Sequence, residues 1–222
     1  METLKKNLNW FLREPTLGQG VRLLYPTQVI GEKLPDGPFI LLVTPHKTAK
    51  ETFIVPAFLY MYEFAILVKS NAFKWPWAWA LKRAGLIPVE RQNGRGMASF
   101  PSAVAALKEG RSLLVFPEST RHPDDNFVHK GKPGAIYIAL AAGIPIVLAG
   151  LIGMKGGRRA GRVLNIGETV DVKHELGLLG YAAIGTRVES IVARRLMAKL
   201  MRRSSALSLL EYIDNDERDS EA

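Results

Sequence analysis

The fold is decided by FILLVTPHKTAKE, residues Phe39–Glu51. Its first five residues are apolar, which predicts a strand that is buried on both faces. The polar residues that follow include an imidazole, His46, and a carboxylate, Glu51. In α/β proteins, functional side chains follow the carboxyl ends of parallel strands. A carboxylate beside an imidazole fixes its tautomer and stabilises its cation, so the pair is a candidate for general acid–base chemistry.

Further apolar runs alternate with helical segments along the chain. The predicted strands after Phe39–Val43 are Ala65–Val68, Leu86–Val89 and Ser112–Phe116, and the predicted helices are about Thr48–Tyr62, Pro101–Gly110 and about Thr186–Arg203. Strands and helices that alternate at this spacing predict an α/β fold, a single domain with a mostly parallel sheet flanked by helices.

The segment Ala135–Met154 contains no charged residue and has the length of a membrane span. Gly143 and Pro145 divide it in the middle. We therefore predict a short buried helix that ends at the glycine, followed by a buried strand, rather than a transmembrane helix.

The two ends of the chain differ from its body, residues 16–210. Residues 1–15 combine apolar side chains with Lys5, Lys6 and Arg13, which predicts an amphipathic helix. This helix either packs on the domain or anchors it at a lipid interface. Residues 211–222 carry six acidic side chains and one arginine, which predicts a solvated, disordered tail.

Composition excludes several kinds of site. The chain has no cysteine, so disulfides, thiolate zinc sites and cysteine nucleophiles are excluded. The absence of cysteine is compatible with a protein of the reducing cytosol. The net charge is +9, and the part before Glu211 carries 29 basic and 15 acidic side chains. Such a body should attract phosphates on a nucleic acid, an anionic lipid or a small substrate. The first 15 residues contain too short an apolar run for a secretory signal.

Three motifs place polar residues at the ends of predicted strands: PHKTAKE at Pro45–Glu51, GLIPVER at Gly85–Arg91 and FPESTR at Phe116–Arg121. A fourth, apolar motif, GIPIVL at Gly143–Leu148, follows the predicted helix that ends at Gly143. The residues of these motifs and their order along the chain resemble the glycerolipid acyltransferase family, which includes the 1-acylglycerol-3-phosphate acyltransferases. The family patterns are a histidine and an aspartate separated by four residues, G-x-I-P/F-V-x-R, F-P-E-G-T-R and a block with a central proline. The resemblance covers about Phe39–Leu148, and FPESTR beside GLIPVER is its specific part.

The resemblance implies transfer of a fatty acyl group from an acyl thioester to a hydroxyl of a lysophospholipid. It implies that His46 is the general base and that Glu51 orients it. It also implies a substrate-binding set for the glycerol phosphate: Arg91, Glu118, Ser119, Thr120, Arg121 and, more weakly, Lys132. No metal or cofactor is expected, because the co-substrate thioester, acyl-CoA or acyl carrier protein, is already activated. The expected location is cytoplasmic, peripheral to an anionic inner face of the plasma membrane.

The chain departs from the family pattern at two important positions. Glu51 replaces the aspartate and Ser119 replaces the glycine of the third motif, where the backbone needs freedom. Thr48 and Glu51 also form a capping-box pattern, a structural way to start a helix. We expect these uses to compete, since a Glu51 side chain bonded to the Thr48 backbone should not also hold His46.

Three functions therefore compete. The leading one is a membrane-surface acyltransferase. The departures at Glu51 and Ser119 suggest instead a non-catalytic lipid-binding relative, and the basic body suggests a nucleic-acid binder, although no nucleic-acid-binding motif accompanies the charge. Arg91 and Arg121 could also form surface ion pairs with Glu90 and Asp124. His122 and His129 are expected to be solvated.

Overall fold

The computed structural model describes residues 17–70, 86–89, 99–123, 126–153, 161–181 and 188–214. Its strands are β1 (Thr27–Gly31), β2 (Ile40–Thr44), β3 (Phe64–Lys69), β4 (Leu86–Val89), β5 (Ser112–Val115), β6 (Phe127–His129), β7 (Ile146–Ile152), β8 (Arg162–Val170) and β9 (Glu211–Ile213). Its helices are α1 (Leu17–Leu24), α2 (Glu51–Phe58), α3 (Phe100–Lys108), α4 (Gly134–Ala142), α5 (Val172–Leu178) and α6 (Ser190–Leu207).

Seven of these strands form one sheet in the order β1-β8-β7-β2-β5-β3-β4. β7 and β8 pair antiparallel, and the other neighbouring strands of this sheet pair parallel. β2 lies in the middle, with Ile40 opposite Leu113 of β5 on one side and Ile146 of β7 on the other. This topology confirms the predicted α/β fold with a mostly parallel sheet.

The two faces of the sheet are covered by different helices. Leu41 and Val43 of β2 pack in one apolar cluster with Ile54 of α2, and α1 lies on the same face. Ile40 and Leu42 point to the opposite face, where the cluster contains side chains of α3, α4, α5 and α6. Since successive side chains of a strand alternate between faces, a strand that is apolar at every position requires cover on both sides.

The uncharged segment Ala135–Met154 divides as predicted. α4 ends at Ala142, and Gly143 caps it in the left-handed conformation at φ 69°. β7 then begins at Ile146. Within the described ranges, no helix is long and apolar enough to cross a membrane.

Two predicted helices have the wrong bounds. The helix predicted from Thr48 begins at Glu51, because Thr48 Oγ1 accepts a hydrogen bond from the Lys50 backbone N–H within the preceding turn. The C-terminal helix begins at Ser190 and continues to Leu207, because its last turns remain buried against the sheet. The predicted N-terminal helix, residues 1–15, lies outside the described residues.

The first residues of the predicted disordered tail, 211–222, form a strand. Glu211–Ile213 form β9, which pairs with β6 in a separate parallel two-stranded sheet. Asp214 then forms an ion pair with Lys130 at 3.2 Å. The acidic composition predicted solvation here, but a strand partner about 80 residues away in sequence cannot be read from composition. Residues 215–222 lie outside the described part.

Neither α1 nor β1 is among the predicted elements. α1 contains Gly18 and Gly20, which disfavour a helix, but Arg22 Nη1 donates a hydrogen bond to the Ala57 carbonyl of α2 at 2.8 Å. β1 is an edge strand whose partner is β8. Both elements thus depend on tertiary contacts.

The end of α6 lies directly against the strand pair β2–β7. Ser204 Oγ donates a hydrogen bond to the Ala149 carbonyl at 3.0 Å and lies 2.7 Å from Thr44 Oγ1. A Cβ atom on Gly150 would lie 2.3 Å from the carbonyl carbon of Leu207. The close approach of helix and strand therefore requires glycine at position 150.

We expect Gly150→Ala to lower the free energy of unfolding by about 1–3 kcal/mol, because the added methyl group must displace the end of α6. The measurement is urea denaturation followed by circular dichroism. The control is Gly134→Ala, where no atom lies within 4 Å of the added Cβ, and it should be neutral or slightly stabilising. Equal effects of the two substitutions would contradict the close packing.

Candidate active site

The loops after β2 and β5 leave the same edge of the sheet, because these strands are parallel neighbours. The loop after β2 contains His46, and the loop after β5 contains FPESTR. The two loops are joined through the backbone, since the His122 N–H donates to the His46 carbonyl at 3.0 Å. The first and third sequence motifs therefore form one site.

Glu51 is the first residue of α2, and its side chain is fully buried. Its Oε2 lies 2.7 Å from His46 Nδ1. The same carboxylate accepts backbone hydrogen bonds from Thr48 N at 2.7 Å and Lys47 N at 3.0 Å. The expected competition is thus wrong: because a carboxylate has two oxygens, Glu51 bonds to the Thr48 backbone with one and to His46 with the other.

The arrangement fixes the histidine chemically. A carboxylate accepts but does not donate, so the neutral His46 ring carries its proton on Nδ1 and leaves the Nε2 lone pair available. The ring stacks on Phe116 at a centroid distance of 4.3 Å, and the His46 side chain keeps 13% of its exposure. An oriented and partly accessible imidazole of this kind can accept a proton from a bound hydroxyl.

Glu118, predicted to bind substrate, is buried and bonds to the protein backbone. Its Oε1 accepts the His46 N–H at 2.7 Å, and its Oε2 accepts the His129 N–H at 3.2 Å. Burial raises the pKa of Glu118 above its ordinary value, and the two backbone hydrogen bonds offset part of that rise. In this position the carboxylate holds the loop that carries His46.

The other predicted binding residues lie around this loop. Ser119 adopts φ 63°, and its Oγ donates to the Pro117 carbonyl at 3.3 Å. Thr120, Arg121 and Lys132 are exposed, and the Lys132 N–H donates to the Pro117 carbonyl at 2.9 Å. Arg91 lies outside the described residues, as do Glu90 and Asp124, the alternative ion-pair partners. None of the contacts described for Thr120, Arg121 or Lys132 reaches His46.

His122 and His129, which were expected to be solvated, are less exposed than that expectation implies. Both side chains are half-buried, and their rings stack with centroids 3.7 Å apart. The pair lies beside Glu118, which accepts the His129 N–H. Sequence reasoning treated them as loop residues because the loop is polar.

The described residues contain no group of three or more His, Asp or Glu side chains suited to a metal ion.

The sequence matches a known family across this region. The family model described as Acyltransferase matches residues 27–150, more than half of the chain, including β2, α2, β5 and their loops. The chain belongs to the acyltransferase family. The recognition of this family from the motifs is therefore confirmed.

Two bacterial relatives of this acyltransferase family member are named 1-acyl-sn-glycerol-3-phosphate acyltransferase. The Streptococcus pneumoniae protein is 29% identical over 137 residues, which cover 60% of this chain and 50% of the relative. The Bacillus subtilis protein is 30% identical over 129 residues, which cover 57% of this chain and 62% of the relative. The chain thus spans only about half to two thirds of these relatives.

A solved structure shares the fold of this family member. It is the crystal structure of the 1-acyl-sn-glycerophosphate acyltransferase PlsC from Thermotoga maritima, with a TM-score of 0.62 and 22% sequence identity. The alignment covers 91% of this chain and 78% of that chain. At this identity the likeness concerns the fold alone.

Phe116 and His129 contribute to the site of this acyltransferase family member without having been predicted. Phe116 supports one face of the His46 ring, and the His129 backbone binds Glu118. Phe116 precedes the FPESTR proline as the last residue of an apolar run, which is the signal of an ordinary strand residue. The backbone of His129 carries no sequence signal at all, because every residue except proline has an N–H.

We expect Ser119→Gly to leave the free energy of unfolding unchanged or raise it by up to about 1 kcal/mol, because the left-handed conformation costs serine about 1–2 kcal/mol and glycine almost nothing. Urea denaturation measures the effect. Ser102→Gly, at an exposed position in α3, is the control and should destabilise by about 0.5 kcal/mol. If Ser119→Gly lowers the free energy of unfolding more than Ser102→Gly does, the left-handed conformation of Ser119 is not strained.

Proposed function

We propose that the protein transfers a fatty acyl group from an acyl thioester to a hydroxyl of a lysophospholipid, with 1-acylglycerol-3-phosphate as the first acceptor to test. The observation that carries the proposal is the 2.7 Å contact between His46 Nδ1 and the buried Glu51. The names of the Streptococcus and Bacillus relatives support the substrate class.

In the proposed reaction His46 is the general base. Nε2 accepts the proton of the acceptor hydroxyl while the oxygen attacks the carbonyl carbon of the thioester. A new ester C–O bond forms, the C–S bond breaks, and the leaving thiolate takes the proton from the imidazolium. Glu51 stabilises the imidazolium between these steps and keeps Nδ1 protonated.

We assign the glycerol phosphate of the acceptor to the FPESTR side of His46. The exposed Arg121 and Lys132, together with Arg91, Ser119 and Thr120, would bind the phosphate there, since guanidinium groups and hydroxyls suit its oxygens. Glu118 would act indirectly, by holding the backbone of His46. The donor is acyl-CoA or an acyl carrier protein, and its thioester requires no further cofactor for activation.

The non-catalytic alternative rested on Glu51 and Ser119. Glu51 lies in hydrogen-bonding contact with His46, and the positive φ of Ser119 is the conformation that the family glycine favours. Both observations favour catalysis over a lipid-binding relative without activity.

The variant His46→Ala should lower kcat/KM for acyl transfer by at least about 10²–10⁴-fold, the contribution of a general base. Glu51→Gln should cause a similar loss, because an amide that donates to Nδ1 leaves the proton on Nε2. Thiol release from palmitoyl-CoA with 1-oleoylglycerol-3-phosphate as acceptor is the measurement.

The control for these variants is His174→Ala, which removes an exposed imidazole of α5. It should retain wild-type activity, and circular dichroism should show that all three variants fold. Substantial activity in a folded His46→Ala protein would reject the assignment of His46 as the base. If neither the wild type nor any variant turns over substrate, the result would favour the non-catalytic alternative.

We further propose that the protein works at the surface of an anionic membrane, peripheral to its cytoplasmic face, where a lysophospholipid resides. The α1–α2 side exposes apolar residues, with Leu23 82% and Met61 71% accessible. Arg22 on the same side lies over the Tyr60 ring at 4.9 Å, and Lys50 lies over Tyr25 at 5.5 Å. Apolar and aromatic side chains among cations suit a lipid headgroup layer.

The double variant Leu23→Ser, Met61→Ser should bind vesicles of phosphatidylglycerol and phosphatidylcholine about tenfold more weakly, because two side chains lose apolar contact. Co-sedimentation measures the binding. Leu178→Ser, which alters a 64% exposed leucine on the opposite face, is the control and should bind normally. If the wild type, the double variant and the control bind the vesicles equally, Leu23 and Met61 are not part of the membrane contact.

A further inference from the structure

A pocket of about 250 Å³ opens beside the catalytic loop. Lys47, the neighbour of His46, lines one side, and its N–H is bonded to Glu51. The end of β7, from Leu151 to Gly153, and Leu209 after α6 line the other side. The proposed reaction has so far made no use of this pocket.

The pocket lies at a topological switch point of the sheet. β2 and β7 are neighbours, but the chain leaves them in opposite directions. From β2 it passes through α2 to β3, beyond β5, whereas from β7 it continues to β8 on the other side. In open α/β sheets, ligands bind in the crevice outside the carboxyl ends of two such strands.

Left-handed backbone conformations occur on both sides of His46. Among the described residues, the non-glycine residues with positive φ are Ser119 at 63° and Leu209 at 58°. Ser119 lies on the β5 side of the His46 loop, and Leu209 lines the pocket on the β7 side. Leu209 is the left-handed cap at the end of α6: its N–H donates to the Ala206 carbonyl, and the Leu210 N–H donates to the Ser205 carbonyl, both at 3.2 Å. This cap turns the chain away from the helix, so that Leu209, which is 78% exposed, lines the pocket.

We infer that this pocket binds the pantetheine arm of the acyl donor, an inference that rests on the proposed function. The acceptor hydroxyl and the thioester must meet at His46, and the acceptor phosphate is assigned to the β5 side. The donor thioester therefore approaches from the β7 side, where the pocket lies.

The size and lining of the pocket fit this occupant. Its volume is below the about 300–1,000 Å³ typical for a whole ligand, so it accommodates one arm of a larger molecule. Asn126 and Ser208 supply polar groups, while Leu151 and Leu210 supply apolar surface. A pantetheine arm alternates amides with methylene groups and is common to coenzyme A and acyl carrier protein.

The test uses variants that fill or open the pocket, and it measures KM for the acyl donor and for the acceptor separately. Asn126→Trp should fill the mouth, and Leu209→Gly should remove a wall at a position whose φ glycine tolerates. Each should raise KM for palmitoyl-CoA and for palmitoyl-acyl carrier protein by about tenfold and change KM for the lysophospholipid by less than about twofold. Gln28→Trp, exposed on the edge strand β1, is the control and should change neither.

A rise in the acceptor KM instead, or no change in either KM, would overturn the inference. An effect on palmitoyl-CoA alone would also overturn it, because the arm is shared by both donors. Binding of the non-reactive thioether S-palmityl-coenzyme A, measured by calorimetry in the His46→Ala background, separates this inference from the proposed function. Weaker binding on adding Asn126→Trp supports the pocket even if the protein transfers no acyl group, and unchanged binding rejects it.

Discussion

The buried carboxylate of Glu51 is the interaction on which the site depends. It accepts backbone hydrogen bonds from Lys47 and Thr48 and lies in contact with His46 Nδ1. A buried carboxylate without such partners would be strongly destabilising, so each donor helps to hold the others in place. The same group therefore starts α2, shapes the loop after β2 and orients the imidazole.

This function of Glu51 explains why a longer side chain is compatible with the site. A capping box uses glutamate at the third helical position to reach back to a backbone N–H. Here Glu51 reaches the Thr48 N–H in that way, but Thr48 Oγ1 bonds to Lys50 instead of returning the contact. Half of the capping motif is thus formed, and the second carboxylate oxygen remains for His46.

The central position of β2 organises what surrounds His46. β5 on one side brings Glu118 to the His46 backbone, and β7 on the other side forms a wall of the pocket beside Lys47. α6 secures β2 from one face through the contact between Ser204 and Thr44. In the proposed mechanism, the two substrates reach the imidazole from these two sides of one strand.

The sequence alone determined the strand–helix alternation, the division of the uncharged segment at Gly143, and the His46–Glu51 pair with its family, because these features depend on local periodicity and on motifs within a few residues. Only the tertiary structure decided that Glu51 serves two partners, that Glu118 binds backbone, and that Glu211–Ile213 pairs as a strand. The two partners of Glu51 are near it in sequence, but which carboxylate oxygen each one binds depends on the folded loop. The contacts of Glu118 with His46 and of β9 with β6 join backbone groups that are distant along the chain, and backbone N–H groups are the same in nearly every residue, so no sequence pattern marks them.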